Sequence, residues 1–231
     1  MSNPSALPVR VSLTGKNPIP ETTPLFPADY YEIPDISCFQ DTGAADRWAL
    51  KQLSAFAGRQ AEFYINGGLA IEMLSALRAM ELLAMPVRVF HWDSSRAAYI
   101  PQEFCWHPSQ LRPSDTVKFM LCQNRHCMPE SRTIFHFQDI PDGKHFDFQW
   151  QEQQAEASLA SFRGQRAEIY LTGLKTLQVS VLNAASRLEI PVTWLHYDYD
   201  TEAYFPQNMD ASIEMGNNHD KKHSASDGIL P

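Results

Sequence analysis

Positive charge is in short supply in this sequence. Its 231 residues carry 19 Lys and Arg against 27 Asp and Glu, a formal net charge of -8. Sequence-independent affinity for a phosphate backbone comes from clustered cations, so general nucleic-acid binding is excluded and any anionic ligand must be held locally. Long apolar runs are missing as well: no window approaches the roughly 18 uninterrupted apolar residues that span a bilayer, and Met1 to Pro8 lack the basic and apolar regions of a secretory leader. The expected compartment is the cytoplasm, with no membrane partner. Cysteine is scarce, and four thiols without a short regular framework read as reduced, with no disulfide.

Several motifs of common chemistry are absent too. The chain has no G-x-x-x-x-G-K-[ST] phosphate loop, no G-x-G-x-x-G fingerprint, no G-x-S-x-G nucleophile elbow and no H-E-x-x-H pair. Cys105, His107, Cys122, His126 and Cys127 match no standard zinc spacing, so neither metal nor cofactor is expected.

What is present is internal repetition. Phe56 to Gly67 aligns without a gap on Phe162 to Gly173, the shared core reading Ala-Glu-Phe-Tyr-Ile-Asn-Gly in one place and Ala-Glu-Ile-Tyr-Leu-Thr-Gly in the other. Pro86-Val87 and His91-Trp92-Asp93 pair with Pro191-Val192 and His196-Tyr197-Asp198, and Tyr99-Ile100-Pro101-Gln102 pairs with Tyr204-Phe205-Pro206-Gln207. Weaker matches, such as Val11 with Val117, extend the repeat upstream. The expected organisation is an N-terminal extension 1–8, one unit over 9–106, a second over 107–207 and a disordered tail 208–231, the tail being rich in Asn, Asp, Ser, Lys and His.

Within each unit the pattern alternates. Ala61 to Ile65 and Ala167 to Leu171 are β-prone runs that meet a small or glycine-containing turn before a helical stretch. Leu69 to Leu83 repeats apolar residues at three and four with Glu72, Arg78 and Glu81 off the stripe, which predicts a helix laying one face on a sheet. Pro86 and Pro191 stop the helices, and Val87 to Trp92 and Val192 to Tyr197 read as buried parallel strands. Val9 to Leu13 and Val117 to Leu121 supply first strands, with preceding helices over Ala44 to Ala57 and Gln151 to Phe162. The fold class is therefore α/β: two tandem Rossmann-like units with largely parallel sheets flanked by helices, related by a pseudo-two-fold.

Ligands of open parallel sheets collect outside the carboxyl ends of the strands, where helix N-termini present free N–H groups. The candidate ligand-binding residues are accordingly Thr14, Gly15 and Lys16 after the first strand, Asn66, Gly67 and Gly68 in the glycine loop of the first unit, and Thr172, Gly173 and Lys175 in the second. Glycine lets amides approach an anion, while Asn66 or Thr172 can cap a helix or donate to a phosphate. Period-two alternation puts His91 with Asp93, and His196 with Asp198, on one face of a strand end. That suits a metal, a general base with its orienting carboxylate, a base-stacking site with the intervening aromatic, or simply hydrogen bonds of the two to each other and to the next turn.

The loops Leu171-Thr172-Gly173-Leu174-Lys175-Thr176 and Ile65-Asn66-Gly67-Gly68 resemble those of the CRISPR-associated Rossmann-fold (CARF) domains, whose late strand ends in a Thr-Gly-Gly-x-Lys-like turn. Asn66 departs from Thr and Leu174 from Gly. The resemblance implies binding of a cyclic oligoadenylate across a two-fold interface, which a fused pair of units reproduces within one chain. It also implies sensing in prokaryotic antiviral defence, or slow cleavage of the ligand as in ring nucleases. Three readings follow: a regulatory protein binding a nucleotide or cyclic oligonucleotide, a protein-interaction module without a ligand, and a metal-independent phosphodiesterase using His91, Asp93, His196 or Asp198.

Overall fold

A computed structural model describes residues 7–15, 19–34, 36, 38, 40–123, 128, 130–136, 140, 144–172 and 174–210. The first unit runs β1 (Val9–Thr14), β2 (Thr23–Phe26), α1 (Thr42–Leu53), β3 (Ala61–Ile65), α2 (Ala70–Leu82), β4 (Val87–Asp93) and β5 (Ala98–Phe104). The second repeats it with β6 (Thr116–Gln123), β7 (Arg132–His136), α3 (Phe148–Leu159), β8 (Arg166–Tyr170), α4 (Lys175–Arg187), β9 (Val192–Asp198) and β10 (Ala203–Asn208). The sheet orders are β2-β1-β3-β4-β5 and β7-β6-β8-β9-β10, with the hairpin strand antiparallel in each and every other pairing parallel.

The ladder corrects the upstream alignment of the two units. Val9 pairs with Ala61 and Val117 with Ala167, so Val117 corresponds to Val9 rather than to Val11. Local signals set the helix ends. Asp41 and Asp147 cap α1 and α3, their carboxylates accepting from Ala44 N at 3.2 Å and Trp150 N at 3.0 Å. After α2 and α4 the chain reverses through Ala84 (φ 51°) and Glu189 (φ 57°), closed by Met85 N to Met80 O and Ile190 N to Ala185 O, both 2.9 Å. The prolines then lead into β4 and β9.

The two helical crossovers of a unit run the same way across its sheet, so right-handedness places α1 and α2 on one face, and α3 and α4 likewise. The helix faces of the two units meet. Every residue from Ile71 to Met80 in α2 and from Thr176 to Ala185 in α4 is buried, including Glu72 and Arg78. The expectation of a helix resting one face on a sheet is thereby corrected: a second sheet covers the opposite side, and a helix buried all round carries no polar stripe. Gln102 of β5 donates to Ser180 of α4 at 2.9 Å, and Gln207 of β10 donates to Ser75 of α2 at 3.0 Å. These reciprocal contacts are the mark of a pseudo-two-fold axis.

At the chain's end, Asn208, placed in the tail by composition, is the last residue of β10. Asp210 is buried beyond it, accepting from Ser109 N at 2.7 Å and Val192 N at 2.8 Å. Residues 211–231 of the expected tail and 1–6 of the extension lie outside the described residues.

Candidate functional site

In each sheet the chain leaves the first and third strands in opposite directions, which opens the topological switch point at their carboxyl ends. Asn66 and Thr172 sit there. Asn66 Nδ2 donates to Thr14 O at 2.7 Å and Oδ1 accepts from Thr14 N at 3.1 Å, while Thr172 Oγ1 donates to Cys122 O at 2.7 Å and accepts from Cys122 N at 3.0 Å. Each side chain thus prolongs a strand ladder by one rung where the backbone turns away. Gly15 N extends the other side of β1 to Phe26 O at 3.1 Å. Gly67 and Gly68 then take φ of 119° and 68°, a reversal that a Cβ would strain. Glu72 follows, its Oε2 accepting from Leu69 N at 2.6 Å.

The glycine loops of the two units converge. Lys175, the first residue of α4 in the second unit, donates its Nζ to Gly67 O and, at 2.7 Å, to Gly68 O in the first. Burial lowers the Lys175 ammonium to about 8, opposed by nearby Glu72, so the group carries its charge at neutral pH. Beside this junction lies a cleft of two adjoining lobes of about 390 and 400 Å³, lined by Gly67 and Trp92 from one unit and by Phe146, Leu174, Lys175 and Thr176 from the other. Half-exposed Trp92 and partly buried Phe146 offer aromatic surface. Thr176 Oγ1 and His145 Nδ1 are buried there with no hydrogen-bond partner among the described residues. A second hollow of about 550 Å³, bordered by Thr14, Asp29, Tyr31, Gly68 and Glu72, opens at the switch point of the first unit.

This arrangement holds a cation, a helix N-terminus, orphaned polar atoms and ring faces in one place. The N-terminus of α4 carries partial positive charge and free amides, local features that favour an anion although the protein as a whole is acidic. Of the residues singled out in the sequence, Gly67, Gly68 and Lys175 meet at the junction, and Thr14, Asn66 and Thr172 shape the strand ends beneath it. Lys16 and Gly173 lie outside the described residues, as do His126 and Cys127. Among the described residues no three His, Cys, Asp or Glu side chains gather to hold a metal ion.

The His–Asp pairs share a face, as alternation predicts, without pairing with each other. Asp93 accepts from Ser95 N and Oγ at 2.9 and 2.7 Å; the Ser95 hydroxyl holds its carboxyl below the usual range. Asp198 accepts from Gln40 Nε2 at 2.9 Å, from Asp200 N and from Thr201 Oγ1, and is lowered chiefly by Gln40. His91 and His196 instead meet Gln102 and Gln207, both at 2.8 Å, and burial lowers each imidazole to about 4. They are neutral at physiological pH. Sequence reasoning missed Gln102, Ser180, Ser75 and Thr176 as members of this environment. The signal was present, since Gln102 and Gln207 fall inside a matched tetrapeptide, and Ser75 and Ser180 recur at the same interval.

Comparison with known proteins adds the fold. The receptor "Acinetobacter baumannii Cap4 SAVED/CARF-domain containing receptor" superposes with a TM-score of 0.52 at 8% identity, covering 88% of this chain and 50% of its own. The chain shares its fold. The same receptor with the cyclic trinucleotide 3'3'3'-cAAA gives a TM-score of 0.50 at 9% identity, covering 87% and 51%. The chain therefore spans about half the length of these SAVED/CARF receptors. No protein-family model matches it, and no curated protein does.

Proposed function

We propose that the protein is a ligand-sensing regulator that binds a cyclic oligonucleotide in the cleft between its units. The observation that carries this reading is the junction itself: Lys175 of one unit closes on the glycine loop of the other, beside an α-helix N-terminus and the aromatic rings of Trp92 and Phe146. A phosphate suits the cation and amides, and a base suits Trp92 and Phe146. The cyclic trinucleotide in the similarly folded receptor supports that ligand class. The two units are read as copies of one ancestral unit, and the role as sensing in a defence system of the cytoplasm. Among the described residues no helix is long and apolar enough to cross a membrane.

Binding rather than turnover is the proposed role. A His–Asp base needs the two side chains in contact, and here each faces a different partner. Calorimetry with 3'3'3'-cAAA and with linear nucleotides tests the reading. A cyclic trinucleotide is expected to bind the wild type at micromolar affinity or better, and Lys175→Ala to weaken it at least tenfold. Heat from none of these ligands overturns the proposal, and a co-purifying protein that survives Lys175→Ala and Thr176→Val would favour the interaction-module reading.

A further inference from the structure

The cleft contains a histidine whose hydrogen-bonding sense is set from the other unit. Gln151 Nε2 donates to the backbone carbonyls of Lys144 at 3.1 Å and His145 at 2.8 Å, which fixes the orientation of its amide and leaves Oε1 to accept. Ser180 Oγ, 2.9 Å away, supplies that proton, and a hydroxyl has one to give. Ser180 can then only accept from Gln102, so Gln102 Nε2 faces Ser180 at 2.9 Å and its Oε1 faces His91 Nε2 at 2.8 Å. A carbonyl oxygen only accepts. The proton of the neutral ring therefore sits on Nε2, and Nδ1 keeps a lone pair for which no described residue supplies a donor. His91 is 4% exposed and lines the cleft beside Trp92 and Phe146.

We propose that His91 Nδ1 selects the base that enters the cleft, accepting a hydrogen bond from an exocyclic amino group of the heterocycle. This inference rests on the cleft being the ligand site. Bases of the adenine or cytosine kind are favoured over those presenting a keto oxygen at the same place, because a keto oxygen against Nδ1 leaves two acceptors facing each other and unpaired. Gln102, Ser180 and Gln151 are positioning residues. They come from both units, so the selection depends on how the units pack. A second relay of hydrogen bonds provides an internal control: Arg78 and Ser75 both donate to the Asp46 carboxylate, Gln207 donates to Ser75, and His196 Nε2 donates to Gln207.

Two measurements on the full chain test this. Long-range proton–nitrogen correlation spectra at pH 7 are expected to show both histidines protonated at Nε2 and bare at Nδ1. In Ser180→Ala the His91 signals are expected to move toward a mixture of tautomers while those of His196 stay. A His91 carrying its proton on Nδ1, or unmoved by Ser180→Ala, overturns the proposal without reference to any ligand. In calorimetry, cyclic triadenylate is expected to bind the wild type at least tenfold more tightly than its inosine counterpart, and His91→Phe to reduce that ratio to within about twofold. Equal binding of both by the wild type overturns the selection and leaves the cleft as the ligand site, whereas binding of neither overturns both readings.

Discussion

At the scale of single residues, the buried histidines make the protein's stability depend on pH. Their folded values of about 4 lie below the unfolded value of about 6.5, so the unfolded chain binds more protons between those limits. The contribution is complete above the unfolded value and is lost as pH falls through the window, by about 2 kcal/mol per histidine between pH 7 and pH 5. Glu72 and Asp210, raised by burial, act with the opposite sign. The readout is therefore a difference: denaturant unfolding of wild type and of His91→Gln/His196→Gln at both pH values should show a smaller loss on acidification in the double variant. Equal losses would mean the imidazoles are not held neutral.

At the scale of elements, the glycine loop after β3 explains itself through contact. Gly68 and Gly58 have nearly the same φ, 68° and 72°, but a Cβ on Gly68 would lie 2.7 Å from Glu72 Oε2 and 2.8 Å from Leu13 Cδ2, whereas one on Gly58 meets nothing within 4 Å. Gly58→Ala should cost only the left-handed backbone term, on the order of 1 kcal/mol, and Gly68→Ala on the order of 1–2 kcal/mol more. Thermal unfolding of the two variants compares them directly. The αβ alternation and the strands around Tyr64 and Tyr170 were legible in the sequence because local signals specify them, namely the matched runs themselves and Pro86 and Pro191 after the helices; β7 (Arg132–His136) was not anticipated. The surroundings of α2 were not. Periodicity reads a helix against one surface, and the second surface here belongs to residues more than a hundred positions away, such as Gln207, which donates to Ser75. Glu72 and Arg78 broke the apolar stripe and looked solvent-facing; their partners Leu69 N and Asp46 keep them inside.

At the scale of the whole molecule, two units with one topology place their helices between two sheets and bring the carboxyl ends of both sheets to the same junction. Repetition announced the two units, and the resemblance of their loops to CARF domains announced the kind of ligand now proposed. What repetition could not convey is the inequality of the halves. Lys175 stands where the first unit has Ala70, and α4 begins beside Trp92 across the cleft, whereas at the other strand end Gln40 reaches over to Asp198 and Thr201. An acidic protein can hold a polyanion under these conditions because the helix terminus and one ammonium act at short range, where the net charge of the surface is screened.

In the proposed function both units contribute to one ligand cleft. Hydrogen exchange on the full chain, with and without 3'3'3'-cAAA, decides whether they do. Simultaneous slowing is expected in the segments around Gly67–Leu69 and Leu174–Leu177; slowing confined to one of them, or to neither, would mean that the units do not share a ligand.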